Sequence, residues 1–368
     1  METKKVQSSD IAVVVTSNLH WAPFAYRYLS LLEKNGHQYD LIMWNREGIN
    51  ENVKANLISF NLKDQTNNGS FLKIFKFFCY SKFVKKQLKK KKYKKILFLG
   101  TYAGMPALIG RFLIRNYNQN YWVDIRDITY EKFPLFYKMQ ERIINHSFQT
   151  VVSSRGFLEH LPKYDYGFIH NIDPSMNDIV KQYKKIPSSK IRISYIGNLS
   201  YWNSCQEMID LLANDDRFHM NFVGPNYERV EKYCRVNNIN NASFHGRFDR
   251  QQTVKFYNNT DVIYNLYGND TTNVRTALSN KLYYCLRFEL PILVNSQTFM
   301  ADIVNQYSIG IVFENSDSFP NKLYEYISSF AITNHDFKAA WEHFAKEDSE
   351  TIKKLHKYLG NDFVDCLT

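Results

Sequence analysis

The sequence predicts an α/β protein with two domains, each built on a parallel sheet that helices cover on both faces. Short runs rich in β-branched residues alternate with amphipathic stretches along the chain, and this alternation indicates parallel strands joined by right-handed crossovers. A chain of 368 residues is too long for one typical hydrophobic core. A segment rich in proline, serine and lysine interrupts the alternation at 174–190. We therefore predict domains at 1–172 and 191–333, a linker at 173–190 and a helical segment at 334–368.

The first half contains six predicted strands and four predicted helices. The strands are short apolar runs of the buried parallel type, at 11–17, 39–44, 95–100, 121–127, 150–153 and 167–170. The helices follow at 23–34, 71–92, 103–116 and 131–145. Residues 45–70 are polar and are predicted to be irregular.

The second half repeats the pattern. Its predicted strands lie at 191–196, 219–223, 242–245, 261–267, 292–294 and 309–313. A short helix is predicted at 281–288, capped by Ser279 or Asn280 and ended by Pro291. A polar helix is predicted at 336–358.

Composition excludes several classes of protein. Hydrophobic residues make up 44% of the chain, which excludes global disorder, and no run of 18 apolar residues is present to span a membrane. The first ten residues lack the apolar core of a signal peptide. The five cysteines are scattered without a C-x-x-C pair, so we expect a reducing cytoplasm rather than disulfides or a zinc site.

The basic charge is concentrated in one segment. The net charge is +11, and eleven lysines with no acidic residue lie between Phe71 and Lys95, so the remainder of the chain is close to neutral. The predicted helix at 71–92 has Phe71, Ile74, Phe75 and Phe78 on one face, followed by lysines that include Lys82, Lys85, Lys86 and Lys89. Such a helix can lie on an anionic lipid surface, or it can pack on the sheet with a solvated lysine face. The absence of a recognised motif argues against nucleic acid.

The segment 281–291, KLYYCLRFELP, resembles the K-L-Y-E-Y-L-A-x-G-K-P segment of GT-B-fold glycosyltransferases of the group 1 type, which build bacterial surface polysaccharides. Five positions match, namely Lys281, Leu282, Tyr283, Leu286 and Pro291. The strand ends YIGN, FVGPN and FHGRF are also similar to that family's. Two positions depart: the carboxylate that typically holds the donor ribose falls on Tyr284, and the usual glycine falls on Glu289.

This resemblance implies the GT-B fold, in which two Rossmann-like domains face each other across a cleft and a C-terminal helix crosses back onto the first domain. It also implies a nucleotide-sugar donor, most simply a UDP-sugar, bound by the second domain, and transfer without a metal ion or other cofactor. The D-x-R-D at 124–127 resembles the metal-binding D-x-D of another glycosyltransferase fold, but its position in a chain of two such domains argues against that role.

Ligands of open α/β sheets bind beyond the carboxyl ends of the strands, so residues just after strands are the candidates for a donor site. Lys281 and the helix start at Asn280 are predicted to hold the diphosphate, because free N–H groups at a helix N-terminus attract anions. Arg247 is a second cation, and Gly197 with Asn198 allows close backbone approach. Tyr284 is predicted either to contact the ribose or to pack as a core aromatic residue.

Proton transfer from an acceptor hydroxyl requires a base, and the first half offers His20 and Asp127, with Asp124 as a weaker candidate. Alternation along the strand predicts that Asp124 and Arg126 share one side and Ile125 and Asp127 the other. His20 can also be a loop residue packed on Trp21, and Asp127 a helix cap or ion-pair partner. Asn171, which follows His170 at a strand end, is a further polar candidate.

These observations predict a peripheral glycosyltransferase at the inner face of the plasma membrane. It would transfer a sugar from a UDP-sugar to a lipid-linked or capsular polysaccharide acceptor. Two alternatives stay open: a UDP-sugar 2-epimerase on the same fold, and a non-catalytic GT-B subunit that supports another transferase.

Overall fold

The computed structural model describes residues 9–64, 70–100, 108–172, 176, 190–330 and 335–361. The chain divides into two compact units. Unit 1 comprises 1–170 and 346–368, and unit 2 comprises 171–345. The predicted linker at 173–190 lies almost entirely outside the described residues.

Unit 1 contains a seven-stranded sheet in the order β3-β2-β1-β4-β5-β6-β7, with every pairing parallel. The strands are β1 (Ile11–Val15), β2 (Tyr39–Asn45), β3 (Asn56–Asn61), β4 (Lys95–Leu99), β5 (Tyr121–Ile125), β6 (Gln149–Val152) and β7 (Gly167–Phe168). The helices are α1 (Ala25–Lys34), α2 (Ser70–Lys91), α3 (Gly110–Tyr117) and α4 (Pro134–Asn145). Short 3-10 helices lie at Leu19–Trp21 and Arg155–His160.

Strand β3 corrects the prediction that residues 45–70 are irregular. It pairs with β2 at the edge of the sheet, and its residues are only partly buried. An edge strand that faces solvent needs no continuous apolar run, so its sequence, NLISFN, gives a weak signal. The predicted helix at 103–116 begins outside the described residues, and the described helix starts at Gly110.

Unit 2 contains a six-stranded parallel sheet in the order β10-β9-β8-β11-β12-β13. The strands are β8 (Ile191–Ile196), β9 (Phe218–Val223), β10 (Ala242–His245), β11 (Val262–Asn265), β12 (Ile292–Asn295) and β13 (Gly310–Phe313), so all six predicted strands are confirmed. The helices are α5 (Trp202–Leu212), α6 (Glu228–Val236), α7 (Thr253–Asn258), α8 (Thr272–Thr276), α9 (Asn280–Phe288), α10 (Phe299–Tyr307) and α11 (Phe319–Ser329).

The last helix, α12 (Phe337–Leu359), begins in unit 2 and ends in unit 1, as the resemblance implied. Its unit 1 part makes specific contacts there. Asp348 accepts a hydrogen bond of 2.7 Å from Arg27 Nη1, and the Tyr358 hydroxyl donates to the Asn120 carbonyl at 2.9 Å. Glu347 lies 2.9 Å from His170 Nε2. Burial alone would raise the pKa of Glu347, but His170 and Arg155 hold it below its usual value.

The two units each reverse their strand order at one place. In unit 1 the reversal lies between β1 and β4, and in unit 2 between β8 and β11. Helices cover both faces of each sheet, and β1 and β12 are almost entirely buried. In sheets of this type the polar groups that bind ligands collect beyond the carboxyl ends of the strands near such a reversal. Polar residues at these two edges are therefore the candidates for a ligand site.

Candidate functional site

An open depression with a cavity volume of about 120 Å³ lies at the carboxyl edge of the unit 2 sheet. Asn265 and Asn295, the last residues of the adjacent strands β11 and β12, form part of its wall. The other lining residues come from the loops and helix starts around them, and none is charged: Tyr201, Tyr267, Gly268, Asn273, Val274, Ala277, Ser279, Thr298 and Met300. The depression lies beside the strand reversal, where open α/β sheets bind ligands.

Two helices begin at this depression. Ser279 caps α9, and its Oγ accepts a hydrogen bond of 3.2 Å from the N–H of Lys281. Thr298 caps α10, and its Oγ1 accepts from the N–H of Ala301 at 3.1 Å. Because the first N–H groups of a helix lack intrahelical partners and carry partial positive charge, the two helix starts favour an anionic group here. The predicted cap at Ser279 is confirmed, and Asn280 is an exposed residue of the first turn.

Asn265 is a polar residue that the structure leaves incompletely satisfied. It is only 4% exposed, and its side-chain oxygen has no hydrogen-bond partner among the residues that the structure describes. A buried polar atom without a partner costs about 1–3 kcal/mol, and a donor group on a ligand that reached the Asn265 side chain would offset this cost. The neighbouring Asn295 is satisfied, because its Oδ1 accepts from the N–H of Gly268 at 2.8 Å.

Asn265 was missed in the sequence because the strand was predicted to continue to residue 267. Only residues after strands were considered as candidates, and the structure ends β11 at Asn265. The missed signal is the asparagine itself, since a neutral amide is an uncommon choice for the interior of a buried strand.

Lys281 lies in the first turn of α9, as predicted, but its side chain is buried at 4% exposure. Its Nζ donates a 3.0 Å hydrogen bond to the Tyr264 carbonyl and lies 3.6 Å from the centre of the Tyr195 ring and 4.9 Å from that of Tyr267. No carboxylate pairs with it in the described part of the chain. Burial lowers the pKa of Lys281 to about 7, partly opposed by the nearby Cys205.

The position of Lys281 excludes the solvated lysine that was its simplest alternative. It stands behind the wall of the depression, because Tyr267 and Ser279, which adjoin it, line the depression whereas Lys281 itself does not. Its predicted contact with a diphosphate stays a prediction.

Tyr284 packs in an aromatic cluster. Its ring stacks on Tyr257 with centroids 4.3 Å apart and planes 11° apart, and it also lies near Phe288. These contacts, together with its packing against the buried core of unit 2, support the core interpretation of Tyr284 over a ribose contact.

The remaining donor candidates follow β8 and β10. Gly197, at φ +136°, ends β8, and a Cβ added at the neighbouring Gly224 would lie 2.0 Å from the Gly197 carbonyl oxygen, so the two strand ends approach closely. Asn198 is exposed, and its Oδ1 accepts from Asn226 Nδ2 at 2.6 Å. Arg247 is exposed after β10 and has no ion pair with another described residue. None of these three residues lines the depression.

In unit 1, the predicted base His20 lies in the 3-10 helix after β1 and is partly exposed. Its Nε2 lies 3.3 Å from Glu47 Oε1, and its ring centre lies 5.0 Å from that of Trp21. Both the catalytic interpretation and the packed-loop interpretation of His20 are compatible with this geometry. Glu47, which follows β2, was not singled out in the sequence.

Asp124 and Asp127 have different environments. Asp124 is fully buried, pairs with Arg126 at 2.6 Å and accepts a 2.8 Å hydrogen bond from the Tyr28 hydroxyl. Burial alone would lower the pKa of Arg126, but the charge of Asp124 raises it above its usual value. Asp127 is exposed beyond the end of β5. The prediction that Asp124 and Arg126 share one side of the strand is confirmed, their ion pair was not foreseen, and Asp124 has a structural role. Asn171 is half-buried just after β7.

Helix α2 buries one stripe and exposes another. Phe77, Tyr80, Val84 and Leu88 are buried, and the Tyr80 hydroxyl donates to the Val15 carbonyl at 2.6 Å. The opposite side carries exposed apolar residues in its first half and lysines in its second, of which Lys85 is half-buried and the others are exposed. We call this set the α2 stripe: Leu72, Ile74, Phe75, Phe78, Lys82, Lys85, Lys86 and Lys89. The helix therefore packs on the sheet through a face other than Ile74, Phe75 and Phe78. The side chain of Phe71 lies outside the described residues.

Among the described residues, no group of three or more His, Cys, Asp or Glu side chains is arranged to hold a metal ion. No helix in the described ranges is long and apolar enough to cross a membrane.

No family model and no curated protein matches this sequence. Solved structures do match over nearly the full length. A sucrose-phosphate synthase from Thermosynechococcus elongatus superposes with a TM-score of 0.68 at 12% identity, over 95% of this chain and 99% of that one. WaaG, a glycosyltransferase of lipopolysaccharide biosynthesis, gives 0.59 at 12% over 95% and 98%. Anabaena HepE, solved with UDP and glucose, gives 0.59 at 11% over 94% and 99%.

These likenesses and the two parallel sheets show that the chain has the GT-B fold, as the sequence predicted. At such low identity they define the fold, and the activity has to be argued from the site.

Proposed function

We propose that this protein is a glycosyltransferase that takes a sugar from a nucleotide diphosphate, most simply UDP, and transfers it to a lipid-linked or surface-polysaccharide acceptor. The observation that carries the proposal is the depression at the carboxyl edge of the unit 2 sheet. Two helix starts there favour an anion, and Asn265 offers an unpaired acceptor to a hydroxyl or N–H donor. A diphosphate joined to sugar hydroxyls has both features. The UDP and glucose bound to the similar HepE are in accord with it.

The residues in and around the depression have distinct parts in this proposal. The N–H groups at the starts of α9 and α10 hold the diphosphate and stabilise the negative charge that develops as it leaves. Asn265 accepts a hydrogen bond from a sugar hydroxyl or base N–H. Lys281, buried behind the wall, adds positive charge that has no counter-ion among the described residues. His20 or Asp127 receives the acceptor proton. No metal ion or other cofactor is proposed.

The epimerase alternative is less well supported. That chemistry needs carboxylates or imidazoles around the sugar, and the residues that line the depression include neither. The non-catalytic subunit is the second candidate. Its specific support is Tyr284, which replaces the family's ribose-binding carboxylate and stacks in an aromatic cluster.

The test of the proposed function combines binding and turnover. UDP at a hundredfold excess over its Kd should raise the free energy of unfolding by about 2.7 kcal/mol, and a panel of UDP-sugars should release UDP in the presence of bacterial lipid extract. Asn265→Leu should weaken UDP-sugar binding about tenfold, while the matched control Asn221→Leu, on β9, should not. Binding without turnover, or no binding by any nucleotide, would contradict the transferase and favour the non-catalytic subunit.

The acceptor and the location of the enzyme are proposed from the α2 stripe. A 22-residue helix that exposes four apolar side chains followed by three lysines, with Lys85 half-buried beside them, fits an anionic lipid surface, because each lysine near such a surface contributes about 1 kcal/mol. Three of these lysines also lie near aromatic rings: Lys82 Nζ is 4.4 Å from the Phe78 ring centre, and Lys85 and Lys89 are within 6 Å of Phe112. We therefore place the enzyme at the inner face of the plasma membrane, on a lipid-linked glycan.

Co-sedimentation with vesicles tests this placement. The protein should sediment with phosphatidylglycerol vesicles at low salt and much less with phosphatidylcholine vesicles. A variant with Lys82, Lys85, Lys86 and Lys89 changed to alanine should lose this difference. A control variant carrying Lys322→Ala and Lys338→Ala, far along the sequence in α11 and α12, should keep it. Equal binding by all three proteins would contradict the role of α2.

A further inference from the structure

Three neighbouring side chains form an exposed cluster at the carboxyl edge of the unit 1 sheet. We call His20, Trp21 and Glu47 the indole cluster. Trp21 is 56% exposed, although it is a large aromatic residue. Its Nε1 donates a 2.6 Å hydrogen bond to Glu47 Oε1, and the same oxygen lies 3.3 Å from His20 Nε2. The indole is therefore held in one orientation with much of its surface in solvent.

A buried polar network holds the indole cluster from below. Asn18 is fully buried, and its Oδ1 accepts hydrogen bonds from the N–H groups of Arg46 and Glu47 at 3.0 and 3.2 Å. Its Nδ2 donates to Asn45 Oδ1 at 2.9 Å and to Glu51 Oε1 at 3.2 Å. The loop after β1, which carries His20 and Trp21, is thus fastened to the loop after β2, which carries Glu47.

This arrangement differs from an ordinary surface tryptophan. An exposed ion pair contributes little to stability, and an exposed indole contributes little to the core. A buried network that orients such groups is instead the support that binding sites require. Glu47 already accepts the hydrogen bond of the indole N–H, so the indole can offer a ligand only its apolar face.

We propose that the indole cluster is a binding platform for a pyranose ring, with the apolar C–H face of the sugar against Trp21 and its hydroxyls hydrogen-bonded to His20 and Glu47. Aromatic faces supply a large rigid contact area, and charged partners strengthen hydroxyl hydrogen bonds. The chemical class of ligand is the sugar end of a glycan. The indole cluster would give the acceptor of the proposed function a site in unit 1. Only the identification of the bound sugar as the acceptor rests on that proposed function.

Fluorine NMR of protein labelled with 5-fluorotryptophan tests the platform. The chain has five tryptophans, and Trp21→Phe identifies the Trp21 signal. Titration with lactose, maltose and N-acetylglucosamine should shift the Trp21 signal saturably for at least one sugar and leave the other four in place. His20→Gln and Asn18→Ala should weaken that binding about fivefold to tenfold, the range expected for one aromatic or hydrogen-bond contact.

The outcomes separate this inference from the proposed function. A Trp21 shift in a protein that shows no nucleotide binding would keep the platform and overturn the transferase. Two results together would overturn the platform. One is transfer activity whose acceptor KM is unchanged by Trp21→Ala, and the other is the absence of a Trp21 shift with any of the three sugars at 100 mM, about the weakest affinity such a contact gives. Broadening of the Trp21 signal by phosphatidylglycerol vesicles but not by sugars would overturn it in favour of a lipid contact.

Discussion

The carboxyl edges of the two sheets place their charges differently. In unit 1 the edge exposes His20, Trp21 and Glu47 over buried polar residues. The ion pair of Asp124 with Arg126 is buried. In unit 2 the edge is a depression lined by amides, hydroxyls and aromatic rings, and its nearby cation, Lys281, is buried without a carboxylate partner among the described residues. Two sheets of similar topology thus differ in whether the charge buried at the carboxyl edge has a partner among the described residues.

The difference shows why chain order alone does not locate the chemistry. A charge that is buried with its partner, as in unit 1, is structural, because its field is neutralised locally. A charge that is buried without a partner, as in unit 2, reduces stability in the free protein and becomes favourable when an anion arrives.

Removing Asp124 should strongly destabilise unit 1. Asp124→Ala leaves the Arg126 guanidinium buried without its counter-ion and removes the acceptor of the Tyr28 hydroxyl, so the free energy of unfolding should fall by about 3–5 kcal/mol. Urea denaturation measures the loss. Asp10→Ala is the control, because Asp10 pairs with Lys94 in solvent and such pairs contribute about 0–1 kcal/mol. Similar losses for both variants would contradict the structural role of Asp124.

Removing Asn18 should have the next largest effect. Asn18→Ala removes the hydrogen bonds that Asn18 makes with the N–H groups of Arg46 and Glu47 and with the side chains of Asn45 and Glu51, which should cost about 2–3 kcal/mol. The exposed Asn35 bonds only the Leu31 carbonyl among the described residues, so Asn35→Ala should cost less than about 1 kcal/mol. If Asn18→Ala is as mild as the control in urea denaturation, the network does not support the indole cluster.

Lys281 should make the stability of unit 2 depend on pH. Its pKa in the folded protein, about 7, lies below the usual 10.5, so between these values the unfolded chain binds more protons and the free energy of unfolding rises with pH. From pH 7 to pH 8.5 the rise should be about 1–2 kcal/mol. Below pH 7 the folded protein is protonated too, and the dependence on this group disappears.

The matched variant is Lys281→Met, which keeps the apolar length of the side chain and removes the ammonium. The difference between the two proteins in urea denaturation at pH 7 and pH 8.5 reports Lys281 together with its interaction with Cys205, a thiol whose pKa burial raises and the Lys281 charge lowers. Identical pH dependence in the two proteins would mean that Lys281 is neutralised by an unidentified partner.

The smallest effect concerns the end of α9. Glu289 has φ +50°, the left-handed region in which a Cβ is unfavourable, and it occupies the position where the resembling family has glycine. Glu289→Gly should raise the free energy of unfolding by about 0.5 kcal/mol. This is a net value, because the relief of backbone strain is partly offset by the greater freedom of glycine in the unfolded chain. Glu289→Ala separates the backbone effect, since it keeps the Cβ, and should not be stabilising in thermal unfolding.

The sequence predicted the parallel sheets well because their strands are buried on both faces, which leaves a strong apolar signal. All six strands of unit 2 were located for this reason, whereas β3 was missed because an edge strand such as Asn56–Asn61 is half polar. The same limit hid Asn265. Its apolar neighbours extended the predicted strand beyond the residue that ends it in the structure.

The directions of side chains were harder to predict than the elements that carry them. The sequence placed Lys281 at the start of α9, but its burial against Tyr195 and Tyr267 depends on contacts between residues that are distant in the chain. The α2 helix was predicted nearly to its ends, yet its buried stripe was not, because phenylalanines occur on both sides. Tyr284 and Asp124 show the same limit, because spacing alone did not reveal that Tyr284 stacks on Tyr257 and that Asp124 pairs with Arg126.

The proposed function requires that the depression of unit 2 bind a nucleotide-sugar. Calorimetric titration with UDP-glucose and two other UDP-sugars measures this binding. Ala277→Trp fills the depression without removing a hydrogen-bonding group, and Val236→Trp adds the same bulk at an exposed site at the end of α6. We predict that the wild type and Val236→Trp bind one of these donors equally, and that Ala277→Trp binds it at least about a hundredfold more weakly, a loss of about 2.8 kcal/mol. Equal binding by all three proteins, or no binding by the wild type, would contradict the account.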